Sequence, residues 1–90
     1  MEKTSEGQGF QFPGVFEITA MGSADARLEQ EIPAALNAAG LHVLHETVSS
    51  RASSGGRFVS VTLSFKAESR ADYDAAHTAL RAHPEVKWTL

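Results

Sequence analysis

The densest chemical potential in this chain lies in one short stretch, Ser53-Ser54-Gly55-Gly56, set between Arg51 and Arg57. Two hydroxyls, glycine amides and two guanidinium groups are the parts of an anion cradle, which would take a carboxylate, a phosphate or an acidic protein segment. The stretch joins two extended runs, so no helix dipole reinforces it. Glycines that supply positive φ in a hairpin account for the same residues. A second candidate is the turn Met21-Gly22-Ser23-Ala24-Asp25. There Gly22 permits close approach of a ligand, and the chain after Ser23 opens a helix with its first amides free to donate.

Other chemistries lack their parts. Without cysteine, disulfides, thiolate nucleophiles and thiolate metal sites are impossible. His42 and His45 stand three apart in an extended run and point to opposite faces, while His77 and His83 stand six apart across a helix end. No metal is expected from that geometry, and metal carriage of the metallochaperone kind would need paired thiolates in the turn that here contains Gly22. Acyl-phosphate hydrolysis would need an arginine cradle directly after the first strand and a placed amide, but Arg27 comes five residues past Gly22 and Asn37 falls late in the first helix. No serine is paired with a base. The chain therefore reads as a protein that is not an enzyme, with no catalytic residue and no cofactor.

Alternation and helical spacing set out the elements that carry these residues. Ninety residues, 42% hydrophobic and 21% charged, make one compact domain. Residues 1–11 are polar and without period and are expected to be a disordered tail, with a single domain over 12–90. Phe16, Ile18 and Ala20 alternate in a first strand; Leu28, Ile32, Ala35, Leu36 and Ala39 then form one helical stripe. Ser23 is the expected N-cap, Pro33 predicts a kink or a late start, and Gly40 ends the helix in a left-handed cap. Residues 41–51 are extended. Residues 57–68 alternate clearly, with Val59, Val61, Leu63, Phe65 and Ala67 on one side. The hairpin register stays open, with either His45 or Glu46 opposite Leu63 according to loop length. Ser69-Arg70-Ala71-Asp72 resembles a capping box for a second helix bearing Tyr73, Ala76, His77 and Leu80; His83-Pro84 stops it, and Val86, Trp88 and Leu90 alternate in a last strand.

The order β-α-β-β-α-β is the α+β, ferredoxin-like pattern: a four-stranded antiparallel sheet with two helices on one face. Phe16, Ile18, Val59, Val61, Leu63, Phe65, Val86 and Trp88 are expected to face the helices. Glu17, Thr19, Met21, Ser60, Thr62, Ser64, Lys66, Lys87 and Thr89 would then form an open, polar face. With Glu17, Thr19, Ser60, Thr62 and Ser64 on the central strands, the base-stacking aromatics of RNA-binding sheets are missing. A net charge of −3 also opposes nucleic-acid binding. No stretch approaches the roughly 20 apolar residues a bilayer needs, and the first residues lack a basic, then apolar, leader. The expectation is a soluble cytoplasmic protein with no membrane or nucleic-acid partner, a monomer or weak homodimer.

The ordered set Phe12-Pro13, Met21-Gly22, Arg51-Ala52-Ser53-Ser54-Gly55-Gly56-Arg57-Phe58, Ser60-Val61-Thr62, Ala67-Glu68-Ser69-Arg70, Tyr73, Leu80 and His83-Pro84-Glu85-Val86-Lys87 resembles the YbeD-like family of small bacterial proteins. The resemblance implies a ferredoxin-like fold close to that of ACT regulatory domains, no catalytic residues, and a link to regulation of lipoate metabolism. Two functions from different classes follow as expectations. One is a ligand-sensing regulatory module holding a small anionic effector near Gly22 and Ser23. The other is a protein-interaction module that uses the hairpin tip and the open sheet face, with Arg51, Ser53, Ser54, Gly55, Gly56 and Arg57 receiving the partner.

Overall fold

The computed structural model describes residues 11–89. The tail expected over 1–11 lies, apart from Gln11, outside the described residues. The elements are β1 (Gly14–Ser23), a 3-10 turn (Ala24–Ala26), α1 (Leu28–Ala38), β2 (His42–Ala52), β3 (Phe58–Ala67), α2 (Arg70–Ala82) and β4 (Val86–Thr89). The strands form one sheet in the order β2-β3-β1-β4, with every neighbouring pair antiparallel. Both helices pack on one face of it, burying Ile18, Ala20, Val43, Val61, Leu63, Phe65 and Ala67 of the sheet against Leu28, Ile32, Leu36, Ala76 and Leu80 of the helices. The expected fold class is the observed one.

The helix ends are set by local chemistry. Ser23 caps the 3-10 turn through its Oγ, which accepts from the Asp25 amide at 3.3 Å, and Arg27, in the left-handed region at φ 54°, begins α1. The helix runs from Leu28 through a buried Pro33, so proline does not delay its start. Its closing turn is a Schellman motif: the Leu41 amide donates to Leu36 O at 3.1 Å and the Gly40 amide to Asn37 O at 3.0 Å. Gly40 holds φ 88° between them, the conformation glycine adopts without penalty. At α2, Ser69 Oγ accepts from the Asp72 amide at 3.4 Å, while Asp72 Oδ2 accepts from the Glu68 amide at 2.9 Å. The shorter aspartate thus satisfies the donor one residue before the cap.

Two irregularities depart from simple alternation. In the β2–β3 pair the register shifts between Leu44↔Ser64 and Ser49↔Thr62, so residues 45–48 all stand opposite Leu63, and neither hairpin register expected from the sequence holds throughout. Thr47 pins this wide bulge. Its Oγ1 donates to Leu44 O at 2.6 Å and accepts from the Ser64 amide at 2.8 Å, satisfying two backbone groups that the bulge takes out of the ladder. In the β1–β4 pair, Gly22 lies opposite Val86 but Met21 opposite Trp88, leaving Lys87 as the extra residue. That single insertion turns Trp88 and Thr89 over. Trp88 lies beside Met21 on the open face, 54% exposed, and Thr89 lies beside Ala20 on the helix face, the reverse of the expected assignment.

His77 is the polar group least at ease in this frame. Its Nε2 is buried without a hydrogen-bond partner among the described residues, and its ring lies 4.8 Å from that of Tyr73. Burial, reinforced by the Arg81 charge and opposed by Asp74, lowers its pKa from 6.5. A histidine whose folded pKa lies below its unfolded one leaves the unfolded chain binding more protons as pH falls through the unfolded value, so stability drops there. Urea unfolding between about pH 7.5 and about pH 5.5 should show a smaller acid-induced loss in His77→Phe than in the wild type; equal losses would contradict the assignment.

Candidate functional site

The two bulges together assemble a groove at the hairpin end of the open face. Had the register at Leu44↔Ser64 continued along β2, Arg51 would stand opposite Arg57, and its side chain would belong to the helix face. The bulge shifts the register by three residues, an odd number, so Arg51 instead pairs with Ser60 and projects on the open side. Ser60 pairs with Met21, and Met21 with Trp88. One row, Arg51, Ser60, Met21 and Trp88, therefore crosses all four strands.

Phe58, one same-face step toward the tip, meets Trp88 edge to face with centroids 5.8 Å apart and planes at 71°, a favoured geometry for such a pair. Phe58 is 39% and Trp88 54% exposed. These side chains, with Ala52, Ser53 and Val59, enclose an open and mainly apolar groove of ≈ 320 Å³ in which Arg51 is the single ionisable group. Behind it the open face is paved with hydroxyls, where Thr19 and Thr62 share a hydrogen bond of 2.8 Å.

The sequence candidates are distributed unevenly around this groove. Arg51 and Ser53 line it. Ser53 also builds the turn: its amide donates to Phe58 O at 2.8 Å, its carbonyl accepts from the Gly56 amide at 2.9 Å, and its Oγ accepts from the Phe58 amide at 3.2 Å. Gly56 holds φ 71°, so its role is conformational and its amide is committed within the turn. Ser54, Gly55 and Arg57 are exposed in the loop, and the Arg57 carbonyl accepts from the Ala24 amide at 3.0 Å. Arg51 and Arg57 therefore do not face each other across the turn, as a five-residue loop would have placed them. Neither makes an ion pair among the described residues.

The turn after β1 is closed. Gly22 is buried, and a Cβ there would run into the Glu85 carbonyl oxygen and approach Leu28 Cδ1 to 2.9 Å. The close approach that glycine permits is thus made by the chain leading into β4. Ser23, paired with Phe58, caps the 3-10 turn.

Phe58 and Trp88 are the groove residues that sequence reasoning missed, and Met21, named there as the first residue of a turn, belongs to the groove instead. The signal for Arg51 was available: inward-facing Val43 and Val48 stand five apart, an odd spacing that a regular strand forbids. The histidines serve elsewhere. His83 Nδ1 accepts from the Glu85 amide at 3.1 Å and its Nε2 meets Glu31 Oε1 at 3.3 Å, linking α2 to α1, while His45 meets Asn37 at 3.4 Å. Among the described residues, no three His, Asp or Glu side chains are grouped to hold a metal ion, and no helix is long and apolar enough to cross a membrane.

The family described as "Protein of unknown function (DUF493)" matches residues 8–90. A UPF0250 protein of Xanthomonas oryzae pv. oryzae is 60% identical over 82 residues, covering 91% of this chain and 89% of its own length. A UPF0250 protein of Stenotrophomonas maltophilia is 61% identical and one of Xylella fastidiosa 54% identical, each with the same coverage. The solution structure of protein HP0495 from H. pylori matches with a TM-score of 0.69, covering 100% of this chain and 94% of that one at 13% identity. At that identity the likeness is one of fold.

Proposed function

The chain belongs to the DUF493 family, and from the geometry of its groove we propose that it is a non-catalytic binding module that docks a partner protein across the hairpin end of its open sheet face. The observation that carries this reading is the exposed Phe58–Trp88 pair beside Met21 and Arg51, which has no ion-pair partner among the described residues. Tryptophan and arginine are the residue types that dominate binding energy in protein interfaces, and an exposed apolar patch rimmed by polar groups is the usual form of such a site. A single ionisable group in the groove argues against chemistry there, because acid–base or nucleophilic catalysis needs at least two groups placed together.

The ligand-sensing alternative at Gly22 has less support, since the Glu85 carbonyl occupies the approach that an effector would use. Docking of this kind suits a regulatory protein of the bacterial cytoplasm. A chain without cysteine is at ease in that compartment, and any link to lipoate metabolism would run through the protein docked.

Loss of the aromatic pair tests the reading. Phe58→Ser/Trp88→Ser should abolish capture of the wild-type partners from lysate of the source bacterium, while shifting the melting temperature only slightly because both side chains are solvent-facing. Gln30→Ser, on the exposed side of α1, should capture normally. Undiminished capture by the aromatic double variant would sink the proposal.

A further inference from the structure

We infer that the docked element is an extended acidic peptide segment, with an aspartate or glutamate two residues from an aromatic or large aliphatic residue. The inference rests on the binding-module reading above and adds the partner's chemistry to it. The groove is mainly apolar except at one end, where Arg51 projects from β2 with no ion-pair partner among the described residues. At the other end Trp88 and Phe58 present ring faces and edges to solvent.

A guanidinium beside an apolar floor is complementary to a carboxylate carried next to an apolar side chain. Pairing there is stronger than on an open surface because the neighbouring groups exclude water. Arg51 and Trp88 occupy one row across four strands, so their Cα atoms are separated by three inter-strand steps, roughly 14 Å. Phe58, the nearer ring of the aromatic pair, stands diagonal to Arg51, two residues along from its partner Ser60, at about 7–8 Å. An extended chain places alternate side chains on one side at about 7 Å, so residues i and i+2 can engage the cation and the aromatic pair together.

Nucleic acid is the weaker fit. Stacking surfaces are present, but one cation in the groove and a net charge of −3 leave little to hold a run of phosphates.

The test uses the full chain, whose single tryptophan is a built-in reporter. The probe is a capped Ser-Asp-Thr-Phe-Thr peptide, followed by Trp88 fluorescence and by amide shifts. The expected result is saturable binding with a Kd of about 1 mM or tighter and shifts centred on Met21, Arg51, Ser60 and Trp88. Affinity should weaken about tenfold when Asn replaces Asp in the peptide or with Arg51→Gln in the protein, and should fall with added salt. A peptide with Asp and Phe adjacent, hence on opposite sides, should bind less tightly.

If the Asn peptide shifts the same residues with undiminished affinity, the acidic partner is overturned while the docking surface stands. If no peptide shifts the groove, both are overturned. Tighter binding of octanoate or of a uridine oligonucleotide, or groove shifts that depend on protein concentration alone, would assign the groove to a small amphipathic acid, to RNA or to a second copy, and would likewise overturn the inference.

Discussion

Truncating Phe65 to alanine will destabilise the protein by about 3–5 kcal/mol and Leu63→Ala by about 2–5 kcal/mol, whereas Ser60→Ala on the same strand will cost about 0.5 kcal/mol or less. Phe65 and Leu63 are 0% and 1% exposed. Phe65 packs between Phe16, at 6.3 Å, and Tyr73, at 6.5 Å, so its removal leaves a cavity bounded by rings that cannot all close in. Ser60 lines the open groove and packs against no part of the core. Thr62→Ala should fall between, at about 1 kcal/mol, because it breaks the bond to Thr19 without opening a void. A domain of this size has about 5–13 kcal/mol of stability in all, so Phe65→Ala should approach the unfolding threshold. Urea titration measures each difference. Equal losses at Ser60 and Leu63 would mean that both faces of the sheet are covered in the free protein.

Gly22→Ala should cost about 1–3 kcal/mol or more, through overpacking and not through backbone conformation. The added methyl collides with the Glu85 carbonyl and crowds Leu28 Cδ1 at 2.9 Å. The carbonyl is backbone at the start of β4, so relief requires moving the strand that carries Trp88. The variant should therefore melt lower, by about 4–8 °C for each kcal/mol lost, and also alter the fluorescence of Trp88. Gly55→Ala is the matched control: its nearest neighbour would be Arg57 Cγ at 4.0 Å, and it should behave as wild type. A Gly22→Ala protein with unchanged melting temperature would show that β4 does not pack as described.

The fold was legible because alternation in β3 and the stripe Leu28, Ile32, Leu36 are regular, and because Gly40, Ser69 and His83-Pro84 mark helix ends by their own chemistry. The resemblance carried by the hairpin, Tyr73 and the His83-Pro84 segment also holds, since the chain belongs to the family to which it pointed. The site was less legible. Its residues reach one face only through insertions in two strands, and an inserted residue reverses every side chain beyond it. Plain alternation from Val86 points Trp88 toward the helices for that reason, and a five-residue turn brings Arg51 and Arg57 near each other in either register. The glycines and Ser53 were conspicuous in the sequence, yet Ser53 and Gly56 mainly close the turn, while Met21 and Phe58, ordinary apolar residues in a linear reading, form the groove. What determines these positions is the pairing between distant strands, and beyond the odd spacing of Val43 and Val48 local pattern does not record it.

On the proposed function, partners dock on the open sheet face at the hairpin end. Its most direct measurement is photo-crosslinking in living cells, with a photoreactive residue placed at Ser60 in the groove or at Gln30 on the exposed side of α1. The account predicts discrete protein adducts from position 60, lost when Phe58→Ser/Trp88→Ser is added, and none from position 30. Adducts from position 30 with none from position 60 would contradict it.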